Sequence, residues 1–149
     1  MVISGRRRLG RLRPVPQFVA GYSGTPLATK LGIRPGNVVA LLHAPDGLAL
    51  ELPDGVAVKR RATGRADIVV DFVNRSTELE RRFDRLATMV LPDGGLWIVW
   101  PKRSSGVTTD VTDDVVRGLA QARGLVDNKV CAVDTTWTGL RIVWRVRNR

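Results

Sequence analysis

The sequence holds a single cysteine and a single histidine, and these two scarcities exclude the most. Cys131 has no partner for an internal disulfide, which agrees with a reducing compartment, and it has no second thiol for a zinc site. His43 stands alone, so a histidine-rich metal centre is excluded as well. No apolar run approaches the ~20 residues of a spanning helix. The arginines near the start are not followed by an apolar stretch long enough for the core of a signal peptide. These absences lead us to expect a cytoplasmic protein that does not engage a membrane. Aromatic residues are only 5% of the chain, and the four tryptophans read as packing rather than as a base-stacking platform.

What is present fits one folded unit. At 149 residues, with 44% hydrophobic and 26% charged content, the chain buries roughly 68–70% of the surface its unfolded form exposes. Disorder, collagen and coiled coil are excluded by that composition. The net charge of +10 invites a nucleic-acid reading, but its distribution weakens it. Arg6, Arg7, Arg8, Arg11 and Arg13 stand near the start without an acid, and Arg141, Arg145, Arg147 and Arg149 do the same at the end. Removing those nine leaves 15 basic against 14 acidic residues in the body. We read residues 1–18 as a basic, flexible arm and 19–149 as a single α/β domain. The arm is either a solvated tail or a weak, non-specific contact for polyanions such as nucleic acid.

Short apolar runs alternate with helical patterns from Gly21 onward. Thr25 as N-cap, Pro26 at the first helical position and Gly32 beyond the end define a short helix. Val38 to Leu42 is a buried first strand. His43-Ala44-Pro45-Asp46-Gly47 turns the chain, and Leu48 to Leu52 is expected to make one or two helical turns. Val56–Lys59 and Ile68–Val73 are the next strands, the latter apolar on both faces like a central parallel strand. Ser76 is expected to cap a helix whose Leu79, Phe83, Leu86 and Val90 form one stripe. Leu96–Trp100 is a fourth strand, with Trp97 and Trp100 on opposite faces, and a loop follows from Pro101 to Val111. Thr112, Asp113 and Asp114 start a second long helix that Gly124 closes. Val130–Val133 is a fifth strand. The alternation of Leu140, Ile142, Trp144 and Val146 with Arg141, Val143, Arg145 and Arg147 marks a sixth, its arginines placed on a solvent face where they discourage pairing between molecules.

This alternation predicts a mostly parallel sheet with right-handed crossovers and helices on both faces. The connection from Arg61 to Ile68 reaches about 24 Å at full extension, and a parallel return past one neighbour needs roughly 20 Å. A parallel second strand is thus just within reach, with an antiparallel one as the alternative. The short link from the fifth run to the sixth predicts an antiparallel hairpin.

In open parallel sheets the ligand crevice lies beyond the carboxyl ends of the strands. That rule gathers His43, Asp46, Asn74, Lys102, Arg103, Ser104 and Ser105 as candidate ligand-binding residues. Tyr22, Ser23, Gly24 and Thr25, before a helix start, are candidate anion-binding residues. A nucleotide or S-adenosylmethionine site of this architecture wants glycines in the first strand-to-helix turn, so that backbone approaches the ligand. The turn here offers one glycine at its end and Pro45, which has no N–H. The second strand ends in Lys59-Arg60-Arg61 rather than in an acceptor for a ribose diol. We therefore expect no cofactor and no metal. A triad of Ser104 or Ser105 with His43 and Asp71 lacks the turn that presents a serine nucleophile, so no catalytic residue is assigned. His43 reads as a satisfied strand-end histidine and Cys131 as inert core.

The segments Gly21-Tyr22-Ser23-Gly24-Thr25-Pro26-Leu27-Ala28, Lys30-Leu31-Gly32-Ile33, Leu42-His43-Ala44-Pro45-Asp46-Gly47, Trp97-Ile98-Val99-Trp100-Pro101-Lys102 and Lys129-Val130-Cys131-Ala132-Val133-Asp134 together resemble a bacterial family known only as a domain of unknown function. The resemblance runs from about Val19 to Arg145. More distantly, Pro35-Gly36 before the first strand, Leu91-Pro92-Asp93-Gly94-Gly95 before the fourth and the closing hairpin make the plan similar to the class I S-adenosylmethionine-dependent methyltransferase fold. The chain departs from that fold at the cofactor turn and lacks one strand and its helix. The expectation is a shortened, Rossmann-like three-layer α/β sandwich with strand order 2-1-3-4-6-5 and a C-terminal antiparallel hairpin. Its expected role is a non-catalytic binding or regulatory module for a small anion or a protein segment. An atypical methyltransferase and a nucleic-acid accessory protein are the alternatives. If the arm holds polyanions, RNA binding should fall steeply with salt and disappear when residues 1–16 are deleted, as a filter-binding titration would read.

Overall fold

The computed structural model of the protein describes residues 25–149. Six strands form one sheet: β1 (Val38–Leu42), β2 (Ala57–Lys59), β3 (Ala66–Phe72), β4 (Val90–Pro101), β5 (Leu125–Ala132) and β6 (Trp137–Trp144). Their order is β2-β1-β3-β4-β6-β5. The pairs β1–β2, β1–β3 and β3–β4 are parallel, and β4–β6 and β5–β6 are antiparallel. The taut return before β3 is thus made in parallel. The six residues 60–65 carry the chain past β1, too few for a crossover helix.

Both sheet faces are apolar because the central strands are buried on both sides. One face packs against α2 (Ser76–Met89) and α3 (Asp113–Gln121), where Leu79, Phe83, Leu86, Val116 and Ala120 meet Leu42, Val69, Ile98 and Leu140. The other is covered by α1 (Leu27–Lys30), by Ile33 and by the segment carrying Leu48, Leu50 and Val56, all resting on Val39, Val70, Phe72 and Trp97. Trp97 is fully buried, and its indole N–H is satisfied by donating to Leu31 O at 2.9 Å. Trp100 belongs to the opposite face, as the alternation requires.

Several local expectations are corrected. In α1 the cap position falls on Pro26, one residue later than Thr25, with no side-chain cap bond. The other end behaves as expected. Gly32 takes φ 80°, its N–H donates to Thr29 O, and Ile33 N–H donates to Ala28 O, so two orphan helix carbonyls are satisfied. Leu48 to Leu52 forms no helical turn. Leu48 and Leu50 dip into the core two residues apart, a period of two, and Leu52 precedes a proline, which disfavours helical backbone. Val90 leaves the helical stripe to begin β4, β5 starts five residues before Val130, and β6 stops at Trp144, with Val146 and Arg147 in a 3₁₀ turn beyond it.

The register between β3 and β4 jumps from Ala66↔Val90 to Ile68↔Gly95, so Leu91–Gly94 bulges outward. Gly94 is needed there because a Cβ at that position would collide with the Asp67 carbonyl oxygen. The C-terminal arginines do not guard a sheet edge. β6 lies between β4 and β5, and the edges are β2 and β5. Burial pushes the Cys131 thiol above its ordinary value, as suits a core thiol.

Ser76 does not cap its own helix. Asp110, from the loop before α3, accepts from Ser76 N–H and Ser76 Oγ, both at 2.7 Å. Thr112 caps α3 as expected, its side chain accepting from Val115 N–H at 3.2 Å. The two hydrogen bonds from Ser76 hold the Asp110 carboxyl below the ordinary aspartate value. The stability it contributes is therefore complete above the unfolded value and is lost as pH falls through the depressed folded one. Asp110→Asn should remove this acid-side component while keeping one acceptor for the helix. Thermal unfolding followed from about pH 6 to about pH 2 should show a shallower acid limb in the variant.

Candidate functional site

β1 ends at Leu42, paired with Asp71 of β3, so the next side chain stands beside an aspartate on the central strand. His43 turns the chain out of the sheet with φ 58°, a left-handed backbone that only a minority of non-glycine residues adopt. Its Nδ1 lies 2.9 Å from Asp71 Oδ1. From the other side Arg82, on α2, donates through Nη1 to Asp71 Oδ2 at 2.9 Å and to Oδ1 at 3.2 Å, while its Nη2 donates to Glu78 Oε1 at 3.2 Å.

Asp71 is fully buried, Arg82 is mostly buried and the His43 side chain is 53% exposed. Burial is the largest influence on Asp71 and pushes its carboxyl above the ordinary value, against Arg82 and His43, which pull it down. With Arg82 as its counter-charge the carboxylate is an acceptor, so His43 donates to it through Nδ1–H, and the Nε2 edge belongs to a half-exposed ring.

Around this hub the loop after β4 is fastened to the turn between β3 and α2. Thr109 Oγ1 donates to Asn74 O at 2.9 Å, next to the Asp110–Ser76 contact. Inside the loop Ser105 Oγ donates to Lys102 O at 2.6 Å and accepts from Val107 N–H at 3.2 Å, closing a short 3₁₀ turn over Arg103–Ser105. Lys102 N–H donates to Thr136 O at 2.7 Å. Beyond β4 lies a cleft of about 390 Å³ whose walls include Trp100, Pro101, Arg103, Val107, Val111 and Thr112.

Of the expected ligand-binding residues, Arg103 lines this cleft. His43 is joined to Asp71, Asn74 offers a backbone carbonyl to Thr109, and Ser105 is spent on its own turn. Asp46 and Ser104 are exposed and Lys102 is half-buried. Thr25 is exposed, whereas Tyr22, Ser23, Gly24 and Arg6, Arg7, Arg8, Arg11 and Arg13 lie outside the described residues.

Arg82 and Asp110 were missed at the level of sequence. Both had a readable signal. An aspartate within the apolar run Ile68–Val73 demands a partner, and Glu78 with Arg82 forms an i,i+4 pair. Asp110 is separated from Ser76 by more than thirty residues, beyond any local pattern.

No family model matches the chain, and no curated protein does. Solved structures do. The ribosomal protein L11 methylase from Lactobacillus delbrueckii subsp. bulgaricus superposes with a TM-score of 0.51 at 10% identity, over 80% of this chain and 75% of that one. Magnesium protoporphyrin IX methyltransferase (ChlM) from Synechocystis PCC 6803 with bound SAM gives 0.51 at 13% identity, over 74% of this chain and 71% of that one. A second ChlM structure, with bound SAH, is spanned over only 51% of its length. The chain therefore has a methyltransferase-like fold, and at these identities the likeness concerns the fold alone.

Replacing Asp71 with alanine strands Arg82 without its buried counter-charge, and urea denaturation should show a loss of about 3–5 kcal/mol. His43→Ala should cost only about 1 kcal/mol. His43→Gly should be the more stable of the two by about 1 kcal/mol, because it removes the Cβ from a left-handed backbone.

Proposed function

We propose that the protein is a non-catalytic binding module on a methyltransferase-like frame, holding an acidic ligand, either a small anion or a segment of a protein, in the cleft beyond β4. The observation that carries this reading is the state of the β1 turn. A cofactor of the S-adenosylmethionine type needs free main-chain N–H groups and room at that turn. Pro45 has no N–H, and Leu48 N–H is directed to Pro45 O at 3.4 Å. The His43 side chain occupies the strand end, tied to Asp71.

At the end of β2 the cationic Lys59 donates to Thr63 O at 2.9 Å, and Arg60 and Arg61 follow. No acid stands there for a ribose. These residues do not fit the group. The cleft beyond β4 is lined by Trp100, Val107 and Val111 together with Arg103, and the carboxylate of Asp113 on the same walls is engaged by Arg117 at 3.1 Å. That combination suits an anion with an apolar body.

Thermal unfolding with S-adenosylmethionine or its demethylated product at up to millimolar concentration should show no shift. A rise of several degrees would overturn the reading, since binding to the folded state alone stabilises it by about 2.7 kcal/mol at a hundredfold excess over Kd. Native mass spectrometry of the gently purified protein should show a retained acidic species that is lost in Arg103→Gln.

A further inference from the structure

A second cleft, of about 410 Å³, lies at the opposite rim of the sheet. Asn37 and Asp67 contribute from the amino ends of β1 and β3, Asp93 and Gly94 from the β4 bulge, Lys30 and Arg34 from α1 and the turn after it, and Lys129 and Arg141 from the β5–β6 hairpin, so four cationic residues face two carboxylates. The group without an explanation in the fold is Arg141.

Of the other partly buried arginines, Arg82, Arg117 and Arg123 each have a carboxylate against them, Asp71 at 2.9 Å, Asp127 at 3.0 Å and Asp84 at 2.6 Å, and Arg145, which does not line the cleft, forms no ion pair among the described residues. Arg141 forms no ion pair among the described residues. Its one hydrogen bond there is a long one, from Nη1 to Asn128 Oδ1 at 3.5 Å. Most of its five N–H donors are uncommitted. Burial, with the charge of Arg149 adding to it, pulls the guanidinium below its ordinary value. A cation held in this way lowers stability.

The backbone makes room for it. A Cβ on Gly95 would stand 2.5 Å from Arg141 Nε, so the side chain lies directly over the β4 main chain. Arg34 and Lys129 add positive charge to the same walls, and neither forms an ion pair among the described residues. Asp67 uses Oδ2 to accept from Val38 N–H at 2.8 Å. Its Oδ1 remains available to a hydroxyl.

We propose that this cleft binds a phosphate monoester of a small hydroxylated molecule, with Arg141 gripping the phosphate and Asp67 accepting from a hydroxyl. A planar guanidinium suits the paired oxygens of a phosphate. The cleft volume is that of a small-ligand site. The free Oδ1 of Asp67, and Asp93 beside it, favour a ligand that brings a hydroxyl donor as well as an anion. A sugar phosphate and a nucleotide share this chemistry. The site lies apart from the cleft beyond β4, and the two stand or fall separately, through Arg141 and Arg103 respectively.

The test is isothermal titration at about 0.15 M salt with inorganic phosphate, ribose 5-phosphate, adenosine 5′-monophosphate and, as the uncharged control, ribose. Phosphate should bind, one or both esters should bind more tightly, and ribose should not bind. Which ester is preferred separates sugar phosphate from nucleotide. Arg141→Gln should weaken ester binding at least tenfold while leaving thermal stability equal or higher, because it removes an unpaired buried charge. Gly95→Ala should weaken binding through displacement of the guanidinium, and Arg147→Gln, outside the cleft, should leave it unchanged. Failure of every phosphate probe to bind would refute the proposal. So would Arg141→Gln affinity within about twofold of the unmodified chain, which would assign the binding to the basic ends.

Discussion

One buried carboxylate joins the parts of this fold that local patterns leave separate. Asp71 sits in the middle of the sheet, accepts from His43 at the end of the neighbouring strand and from Arg82 on the covering helix, and so fixes β1, β3 and α2 relative to one another. An isolated charge in that position would be strongly unfavourable. With a guanidinium on one side and an imidazole on the other, the carboxylate makes alternative placements of the helix unfavourable, because each would leave it unpartnered. The left-handed backbone at His43 is the local consequence. It allows the ring to turn back onto the sheet instead of following the chain outward.

The same arrangement shapes the first turn of this methyltransferase-like fold. Parallel strands leave a crevice at their carboxyl ends whatever the residues there, but its use depends on what the first turn presents. Here that turn presents a side chain held from below and a proline, not a run of main-chain donors. At the far rim Arg141 is partly buried with no carboxylate against it among the described residues, the reverse of the treatment given to Arg82, Arg117 and Arg123.

Much of the architecture was legible from residue order alone. β1 begins and ends where its apolar run does, the parallel order follows from right-handed crossovers, and the closing hairpin follows from a short link. What escaped was either too short or too distant. Leu48 and Leu50 alternate over so few residues that period two and a single helical turn look alike, and only Pro53 tilts the choice. β5 runs back to Leu125 through Asp127, Asn128 and Lys129, a polar stretch with an irregular register on an edge strand that carries no apolar alternation to mark it. At the site, His43 was visible by being the sole histidine and Asp71 by its polarity in an apolar run. The cap that Asp110 places on α2 depends on chain segments far apart and could not be read from either one.

That distant cap has a consequence for recognition. Thr109 and Asp110 anchor the cleft loop to the start of α2, and Lys102 anchors its other end to the β5–β6 connection. The wall is thereby pre-shaped before anything enters. A visitor would encounter a surface whose conformational freedom was already surrendered during folding, so little further ordering entropy would oppose its docking.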